Sequence, residues 1–308
     1  ISNSDRPNKK AVCETYGDDY LRHILQRKPL MIARRSTKNE PGLKQRALYA
    51  VDDDAVIVSA YASMGVEKAM NVMGMAPLQR PVDVLQWWKN GVFRTGEQIW
   101  LSADYTDFNK EHSAVELELL NIAFAKSWLT KHPNTGLALE KALCSLWVAG
   151  AQRNRFVKEE NGELRRVFSA LFSGSRDTAR DNTILHQTYH NIIIEWLDDN
   201  MPQWGRVVHA HMCGDDEDVL FSDCVAAAVY YHAIKVIGWH TNDSKQMCGL
   251  TCHEFLQKFP HSEKGCVAPI ASMISSLCSG QWYTQPGLQQ DNALAAISDQ
   301  MWEMIVRG

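Results

Sequence analysis

The chain has 308 residues, of which 45% are apolar, so it can bury the core of one large domain or of a few subdomains. Its formal net charge of −4 excludes a uniformly basic nucleic-acid-binding domain, so any basic surface must be local. No signal peptide, lipidation motif or apolar run of about 18 residues is visible, which speaks against membrane insertion. The eight cysteines lack the short regular spacing of a disulfide scaffold, and we expect a reducing compartment.

The first elements of the chain are a helix and a strand. A helix is predicted from Tyr20 to Lys28, and Pro29 ends it before an apolar strand from Leu30 to Ala33. The stretch between Arg22 and Arg46 carries eight Lys or Arg residues and a single acidic residue, and its second half is expected to be a loop. Such a charge run suits a phosphate-binding wall, although most charge runs are solvated surface.

A buried strand from Gln98 to Ala103 is predicted to deliver Asp104 at its end, and a long helical region follows. An Asn-Gly dipeptide downstream is a strong hairpin signal. The predicted elements around and after this strand are packed strand and helix at Ala47–Ala62, a Met-rich core segment at Glu67–Met75, a helical region at Ser113–Thr130, strands at Arg155–Lys158 and Leu164–Phe168, a helix at Thr178–Leu197, paired strands at Val207–Phe221 and a helix at Cys224–Ile237.

Two acidic groups are predicted to converge. Asp104 follows the buried strand, and the tight turn Gly214-Asp215-Asp216 joins two other strands. Strands side by side in one sheet would bring these carboxylates together, and carboxylates that hold two metal ions are what the joining of nucleotides requires. Taken alone, a Gly-Asp-Asp turn is a weak signal, because any surface hairpin can carry one.

Three motifs in order make the signal specific. Asp104 to Asn109, then Ser173-Gly174 with Thr178 and Asn182, then Gly214-Asp215-Asp216 resemble motifs A, B and C of viral RNA-dependent RNA polymerases in order and spacing. The string Asp-Tyr-Thr-Asp-Phe-Asn, followed by Lys110-Glu111-His112-Ser113, looks most like the polymerases of totiviruses and related double-stranded-RNA viruses. The resemblance spans roughly Leu30 to Phe259.

The resemblance implies roles for the acidic residues. Asp104 and Asp215 would be the principal ligands of two Mg²⁺ ions, which Mn²⁺ could replace, with Asp216 as an auxiliary carboxylate. Asp107 is a further candidate metal ligand and a candidate substrate-binding residue. Lys245, in a segment that resembles motif D, would protonate the departing pyrophosphate as a general acid, although its surroundings also read as a plain turn.

Other residues would bind substrate and template. By resemblance, Asn109 and Asn182 would read the ribose 2′ hydroxyl, since their amides both donate and accept hydrogen bonds. Many such polymerases have Asp where Asn109 stands, and a helix-capping role is the alternative there. Thr178, one helical turn before Asn182, would follow a flexible Ser173-Gly174 loop and grip ribose and template.

The basic stretch resembles motif F of the fingers. Lys44 and Arg46 would hold the triphosphate, while Arg34, Arg35 and Lys38 would contact template or triphosphate.

The segment His253–Phe259 is similar to the primer-grip motif E, a hairpin between palm and thumb. A zinc site is the alternative for the five potential ligands of this region, which are Cys248, Cys252, His253, His261 and Cys266. No paired Cys-x-x-Cys supports it. His209, His211 and Cys213 should share one strand face and belong to the core or face the template.

The resemblance predicts an α/β (α+β) fold, a right-hand polymerase palm with an antiparallel sheet backed by helices. The expected division is partial fingers with the basic motif at 1–60, first palm part at 61–144, fingers hairpin insertion at 145–172, second palm part at 173–260 and start of the thumb at 261–308. The chain begins at Ile1 rather than Met, so we expect a segment of a longer protein without the N-terminal fingers and most of the thumb.

The implied function is RNA synthesis on an RNA template for viral replication and transcription. The implied partners are template and nascent RNA, ribonucleoside triphosphates and a viral capsid protein, without a membrane, in the host cytoplasm inside the virus particle. A reverse transcriptase is the nearest rival, but the Thr178 and Asn182 pair speaks against it. An inactive RNA-binding module or a structural, capsid-associated protein would not need the acidic cluster.

Overall fold

A computed structural model describes residues 15–17, 19–40, 44–66, 69–70, 81–93, 95–278 and 290–307. The helices are α1 (Tyr20–Leu25), α2 (Asp53–Ser63), α3 (Pro81–Val92), α4 (Phe108–Glu111), α5 (Ala114–Lys131), α6 (Gly136–Arg153), α7 (Thr178–Asn200), α8 (Cys224–Val236), α9 (Ile270–Cys278) and α10 (Gln290–Arg307). The strands are β1 (Met31–Glu40), β2 (Lys44–Val51), β3 (Ile99–Ala103), β4 (Arg155–Lys158), β5 (Leu164–Val167), β6 (Val207–Cys213), β7 (Asp216–Phe221), β8 (Met247–Gly249), β9 (Phe259–His261) and β10 (Gly265–Val267). This mixture of helices and antiparallel sheet confirms the predicted fold class.

The first sheet contains the basic stretch. Its strand order is β2-β1-β4-β5, with β1 parallel to β4 and the other neighbours antiparallel. The prediction that the basic stretch is a loop was wrong, because β1 and β2 form a long hairpin from the Ala33–Val51 pair to the Glu40–Lys44 pair. The side chains of β1 from Arg34 to Lys38 are exposed, so this part of the strand lacks the alternation of apolar residues that marks a half-buried strand.

The second sheet has the order β6-β7-β3-β8, and every pair in it is antiparallel. One face packs on α7 and α8 through a buried cluster that includes Leu101, Val219, Phe221, Leu197 and Tyr230. This agrees with the predicted antiparallel sheet backed by helices. The predicted strand before Asp104 and the predicted hairpin around Gly214 are both confirmed.

Two long helices, α5 and α6, follow β3 of the second sheet along the chain and precede β4 of the first sheet. Helix α5 begins at the predicted place, because Ser113 and Glu116 form a reciprocal capping box at its N-terminus. Helix α6 was not predicted, and the expected division between residues 144 and 145 falls inside it. Its sequence lacks a clear amphipathic pattern because Cys144, Trp147 and Val148 are buried while Leu143 and Leu146 are exposed.

The segment after β8 that resembles the primer grip contains a short antiparallel bridge. Within the predicted segment the structure has a tight turn, in which Phe255 and Lys258 exchange backbone hydrogen bonds of 3.0 Å. A regular hairpin of two strands begins at Phe259, as β9 and β10.

The predicted Met-rich core segment Glu67–Met75 lies almost entirely outside the described residues. Within the described ranges, we find no helix with the length and apolar character needed to cross a membrane.

Candidate active site

The two predicted acidic groups lie at one end of the second sheet. Ala103 of β3 is directly opposite Glu217 of β7, so Asp104 and Asp216 follow as neighbours on the same face of the strand pair. Asp215 precedes Asp216 in the turn from β6. The sheet register therefore brings together the carboxylates that the sequence places 111 residues apart or more.

Burial and mutual repulsion both act on this carboxylate group. Partial burial, reinforced by the charges of Asp215, Glu254 and Asp104, raises the pKa of Asp216 to about 6. Burial and the charge of Asp104 also raise the pKa of Glu254. Glu254 was not among the predicted residues, and it adds a further acidic side chain to the group. A cation placed here would relieve the repulsion.

The Gly-Asp-Asp turn is held by helix α7. Gly214 has φ +67°, in the left-handed region that favours glycine. Its backbone N–H donates to the Thr183 hydroxyl at 2.8 Å, and its carbonyl lies 3.0 Å from Nδ1 of His186. Two side chains from neighbouring turns of one helix thus fix the position of the turn that carries Asp215 and Asp216.

Glu217 is fully buried on the face of β7 that packs against the helices. Its carboxylate accepts hydrogen bonds from the hydroxyls of Tyr105, at 2.7 Å, and Tyr230, and Nε2 of His186 lies 3.2 Å away. Burial alone would raise the pKa of Glu217, but hydrogen bonds and charge from His186 and His190 lower it below the ordinary value. The group links β3, α7 and α8 directly behind the turn.

Asp218 is fully buried on the opposite face of β7. It accepts hydrogen bonds from Trp87 Nε1 at 2.8 Å and from the Ser102 hydroxyl at 2.9 Å, and Nδ1 of His253 lies 2.8 Å away. The Ser102 hydroxyl in turn accepts from the backbone N–H of Glu254 at 3.0 Å. These bonds attach α3 and the segment after β8 to the sheet that carries the acidic group.

Asn109 and Asn182, predicted to act together, are in direct contact. Nδ2 of Asn182 donates to Oδ1 of Asn109 at 2.9 Å, and Nε2 of His112 lies 2.8 Å from Oδ1 of Asn182. Burial lowers the pKa of His112 and favours its neutral form. The capping alternative for Asn109 is not supported, because the cap position of α4 belongs to Asp107. Asp107 itself forms an ion pair with Lys110 at 2.7 Å.

The Ser173-Gly174 loop is held in place, contrary to the prediction of a flexible loop. The Ser173 hydroxyl donates to the Ala47 carbonyl at 3.2 Å, and the Gly174 N–H donates to the Tyr49 carbonyl at 3.1 Å. A Cβ on Gly174 would lie 2.6 Å from that carbonyl oxygen. The Thr178 hydroxyl donates to the carbonyl oxygen of Phe172 at 2.8 Å. Glycine is thus required here by the close approach of β2.

The predicted general acid lies beside the predicted metal ligand. Nζ of Lys245 is 3.6 Å from a carboxylate oxygen of Asp104. The loop that carries Lys245 is tied to the end of β3 by backbone hydrogen bonds of 2.9 Å from Thr106 to His240 and from Asn242 to Asp104. The side-chain amide of Gln246 adds further bonds to Asp104.

The predicted phosphate-binding cations divide between the faces of the β1–β2 hairpin. Lys38 lies opposite Arg46 in the register, and alternation along β1 places Arg34 on their face and Arg35 on the other. Arg35 lies opposite Tyr49, whose ring packs against Phe172 with 5.9 Å between centroids. Lys44 begins β2, but its side chain lies outside the described part of the structure.

The zinc alternative loses one of its ligands. His253 is fully buried, bonded to Asp218 and stacked on Trp100 with 4.0 Å between ring centroids. In the described residues no three His, Cys, Asp or Glu side chains, including those of the acidic group, are placed to hold a metal ion as they stand. Of the three alternating residues in β6, His211 and Cys213 are half-buried and His209 is exposed.

Comparison with known proteins identifies the family. Residues 2–282 match the family model of the viral RNA-directed RNA-polymerase. The chain belongs to this family. The probable RNA-directed RNA polymerase of Helminthosporium victoriae virus-190S is 26% identical over 282 residues, which cover 89% of the chain and 30% of the relative. The RNA-directed RNA polymerase of Penicillium chrysogenum virus is 23% identical, covering 98% of the chain and 26% of the relative.

Solved polymerase structures agree with the fold. The RNA-dependent RNA polymerase of a human picorbirnavirus, in a form with its insertion loop deleted, superposes with a TM-score of 0.68 at 14% identity, covering 90% of the chain and 54% of that structure. The polymerase without the deletion has a TM-score of 0.66 and 14% identity. This confirms the right-hand polymerase architecture. The chain spans less than a third of the length of the Helminthosporium victoriae virus-190S and Penicillium chrysogenum virus polymerases.

Several residues that surround the motifs of this polymerase-family chain were not predicted. Glu217 and Asp218 extend the acidic run that begins at Asp215, and their alternation along β7 was a usable signal that they point to opposite faces. Glu254 and Gln246 carried no such signal, because each reaches β3 only through the fold.

Proposed function

We propose that the chain is the catalytic centre of a viral RNA-directed RNA polymerase, which transfers nucleotidyl groups from ribonucleoside triphosphates as an RNA template directs. The observation that carries the proposal is the convergence of Asp104 with the Gly214-Asp215-Asp216 turn, in a chain of the polymerase family. The Asn109–Asn182 pair belongs to the same structural unit, since both α4 and α7 flank the sheet that holds the acidic group.

The acidic group fits divalent cations by its donor chemistry. Carboxylate oxygens are the ligands that Mg²⁺ and Mn²⁺ prefer, and the raised pKa of Asp216 reflects burial together with repulsion from neighbouring acids that a cation would offset. Asp104, Asp215 and Asp216 would hold the two ions. When bound, such ions supply positive charge at the attacking and leaving oxygens.

The remaining residues act on substrate. Asn109 and Asn182 would read the 2′ hydroxyl. His112 orients the buried Asn182, whose Nδ2 donates one of its two hydrogens to Asn109. The amides of the pair can both donate to and accept from a hydroxyl. Ser173, Gly174 and Thr178 would hold the template side, in a loop that already contacts the basic hairpin. Arg34, Arg35, Lys38, Lys44 and Arg46 would contact triphosphate and template. Lys245, beside Asp104, would protonate pyrophosphate.

We extend the proposal to the division of the chain and to its setting. The first sheet would belong to the fingers, the second sheet with α7 and α8 to the palm, and residues from 261 onward to the start of the thumb. RNA and ribonucleoside triphosphates follow from the proposed activity. A capsid partner, and a location inside the particle in the host cytoplasm, are predictions that rest on the resemblance to totivirus-like polymerases.

The test is incorporation of labelled ribonucleotides on an RNA template by the full-length parent polymerase with Mg²⁺ or Mn²⁺. Asp215→Ala should abolish template-dependent product. Asp199→Ala is the matched control, because Asp199 is an exposed acid in the last turn of α7, at the opposite end of the sheet. Equal product from the parent and Asp215→Ala would refute the metal-site assignment, and an equal loss in both variants would show a non-specific effect.

A further inference from the structure

The side chain of Gln246 binds the backbone of Asp104 in both directions. Its Oε1 accepts from the Asp104 N–H at 3.2 Å, and its Nε2 donates to the Asp104 carbonyl at 2.8 Å. The same Nε2 donates to the carbonyl of Asn242 at 2.9 Å. One half-buried amide therefore connects the residue that ends β3 with the loop that carries Lys245.

This contact replaces a pair of the sheet. In the ladder between β3 and β8, Trp100 pairs with Gly249, Leu101 with Cys248 and Ser102 with Met247, so a continued register would pair Ala103 with Gln246 and then Asp104 with Lys245. The ladder stops after the Ser102–Met247 pair. The Gln246 amide bonds to both backbone groups of Asp104, and the Asn242 N–H also donates to the Asp104 carbonyl at 2.9 Å. The backbone N–H of Lys245 donates to the Asn242 carbonyl at 2.9 Å, outside the ladder.

Lys245 reaches Asp104 from a turn and not from a strand. Residues Asp243–Lys245 form a short 3₁₀ turn, and Nζ of Lys245 lies 3.6 Å from the carboxylate of Asp104. Through its bonds to Asp104 and Asn242, the Gln246 amide ties this turn to the end of β3.

We propose that Gln246 is a positioning residue, which sets the distance between the Lys245 ammonium and the Asp104 carboxylate during nucleotidyl transfer. The inference rests on the proposed function, in which Asp104 holds a metal ion and Lys245 is the general acid. Glutamine suits this place because its amide supplies one acceptor and two donors, and all three are used. An ionised Glu would place a carboxylate against two carbonyl oxygens.

The experiment is a double-mutant cycle on the full-length parent polymerase, measuring the rate of single-nucleotide incorporation by a preformed RNA complex at saturating nucleotide. Gln246→Ala should slow incorporation about 100-fold, as expected when a catalytic group is misplaced by about 1 Å. Nucleotide affinity should stay near that of the parent. Gln203→Ala is the control, since Gln203 is exposed before β6, at the far end of the sheet.

The cycle separates positioning from general stability. In a Lys245→Ala background, Gln246→Ala should cost little more, because the group it positions is already gone. Equal losses with and without Lys245, or parent-like incorporation by Gln246→Ala, would overturn the inference. Gln246→Glu, which has the same shape, repeats the comparison if the alanine variant folds poorly. A loss of incorporation that follows the fall in melting temperature in both Gln246→Ala and Gln246→Glu would also overturn the inference.

The proposed function can fail separately. A parent that makes no template-dependent product, or product that survives Asp215→Ala, would refute the polymerase assignment. Additive losses in an active, Asp215-dependent enzyme would refute only the role of Gln246.

Discussion

Replacement of Asp218 by Ala should be among the most destabilising single changes in the second sheet. The side chain is fully buried and accepts hydrogen bonds from Trp87 and Ser102, with His253 at hydrogen-bonding distance. Its removal leaves these three groups buried without their partner. Each unsatisfied buried group costs about 1–3 kcal/mol, and relaxation offsets part of that sum, so we expect a loss of roughly 3–5 kcal/mol in the free energy of unfolding.

The assay is urea denaturation of the purified protein followed by tryptophan fluorescence. The matched control is Asp223→Ala, since Asp223 lies on the same segment and caps α8 by accepting from the Ala226 N–H at 2.8 Å. Loss of a cap costs about 1 kcal/mol. Asp218→Asn keeps the shape and one acceptor and should fall between them. If Asp218→Ala loses no more stability than Asp223→Ala, the buried network does not support the sheet as described.

Three further outcomes follow from the site. Gly174→Ala should cost about 1–3 kcal/mol in urea denaturation, because the new Cβ would lie 2.6 Å from the Tyr49 carbonyl oxygen, whereas Gly136→Ala, with open space around it, should be neutral. The pKa of Asp216 is raised to about 6, so its carboxylate costs folding stability as pH rises from about 4 to 6. Mg²⁺ should therefore raise the melting temperature more at pH 7.5 than at pH 5. If Mg²⁺ raises the melting temperature of Asp216→Asn as much as that of the parent at pH 7.5, this prediction is contradicted. Asn182→Ala should reduce discrimination against deoxyribonucleotides in full-length polymerase about 10-fold or more, and unchanged discrimination would exclude it from 2′ hydroxyl recognition.

Elements with strong local signals could be predicted from the sequence. The hairpin around Gly214 depends on a residue that accepts a positive φ, and the start of α5 depends on the reciprocal bonds of Ser113 and Glu116. Helix α6 and the β1–β2 hairpin had no comparable signal. Helix α6 is buried on more than one side, and β1 is exposed from Arg34 to Lys38, so neither shows the periodicity of its element.

The sequence by itself determined the family, because three motifs occur in a fixed order and their residue types and spacing are specific. It also determined that Asp104 and Asp215 lie at strand ends. Only the tertiary structure decided which side chains surround them. Gln246 is 142 residues from Asp104, and Trp87 is 131 residues from Asp218. Contacts across such separations depend on sheet order and register, which the packing of the whole core sets and no local pattern contains.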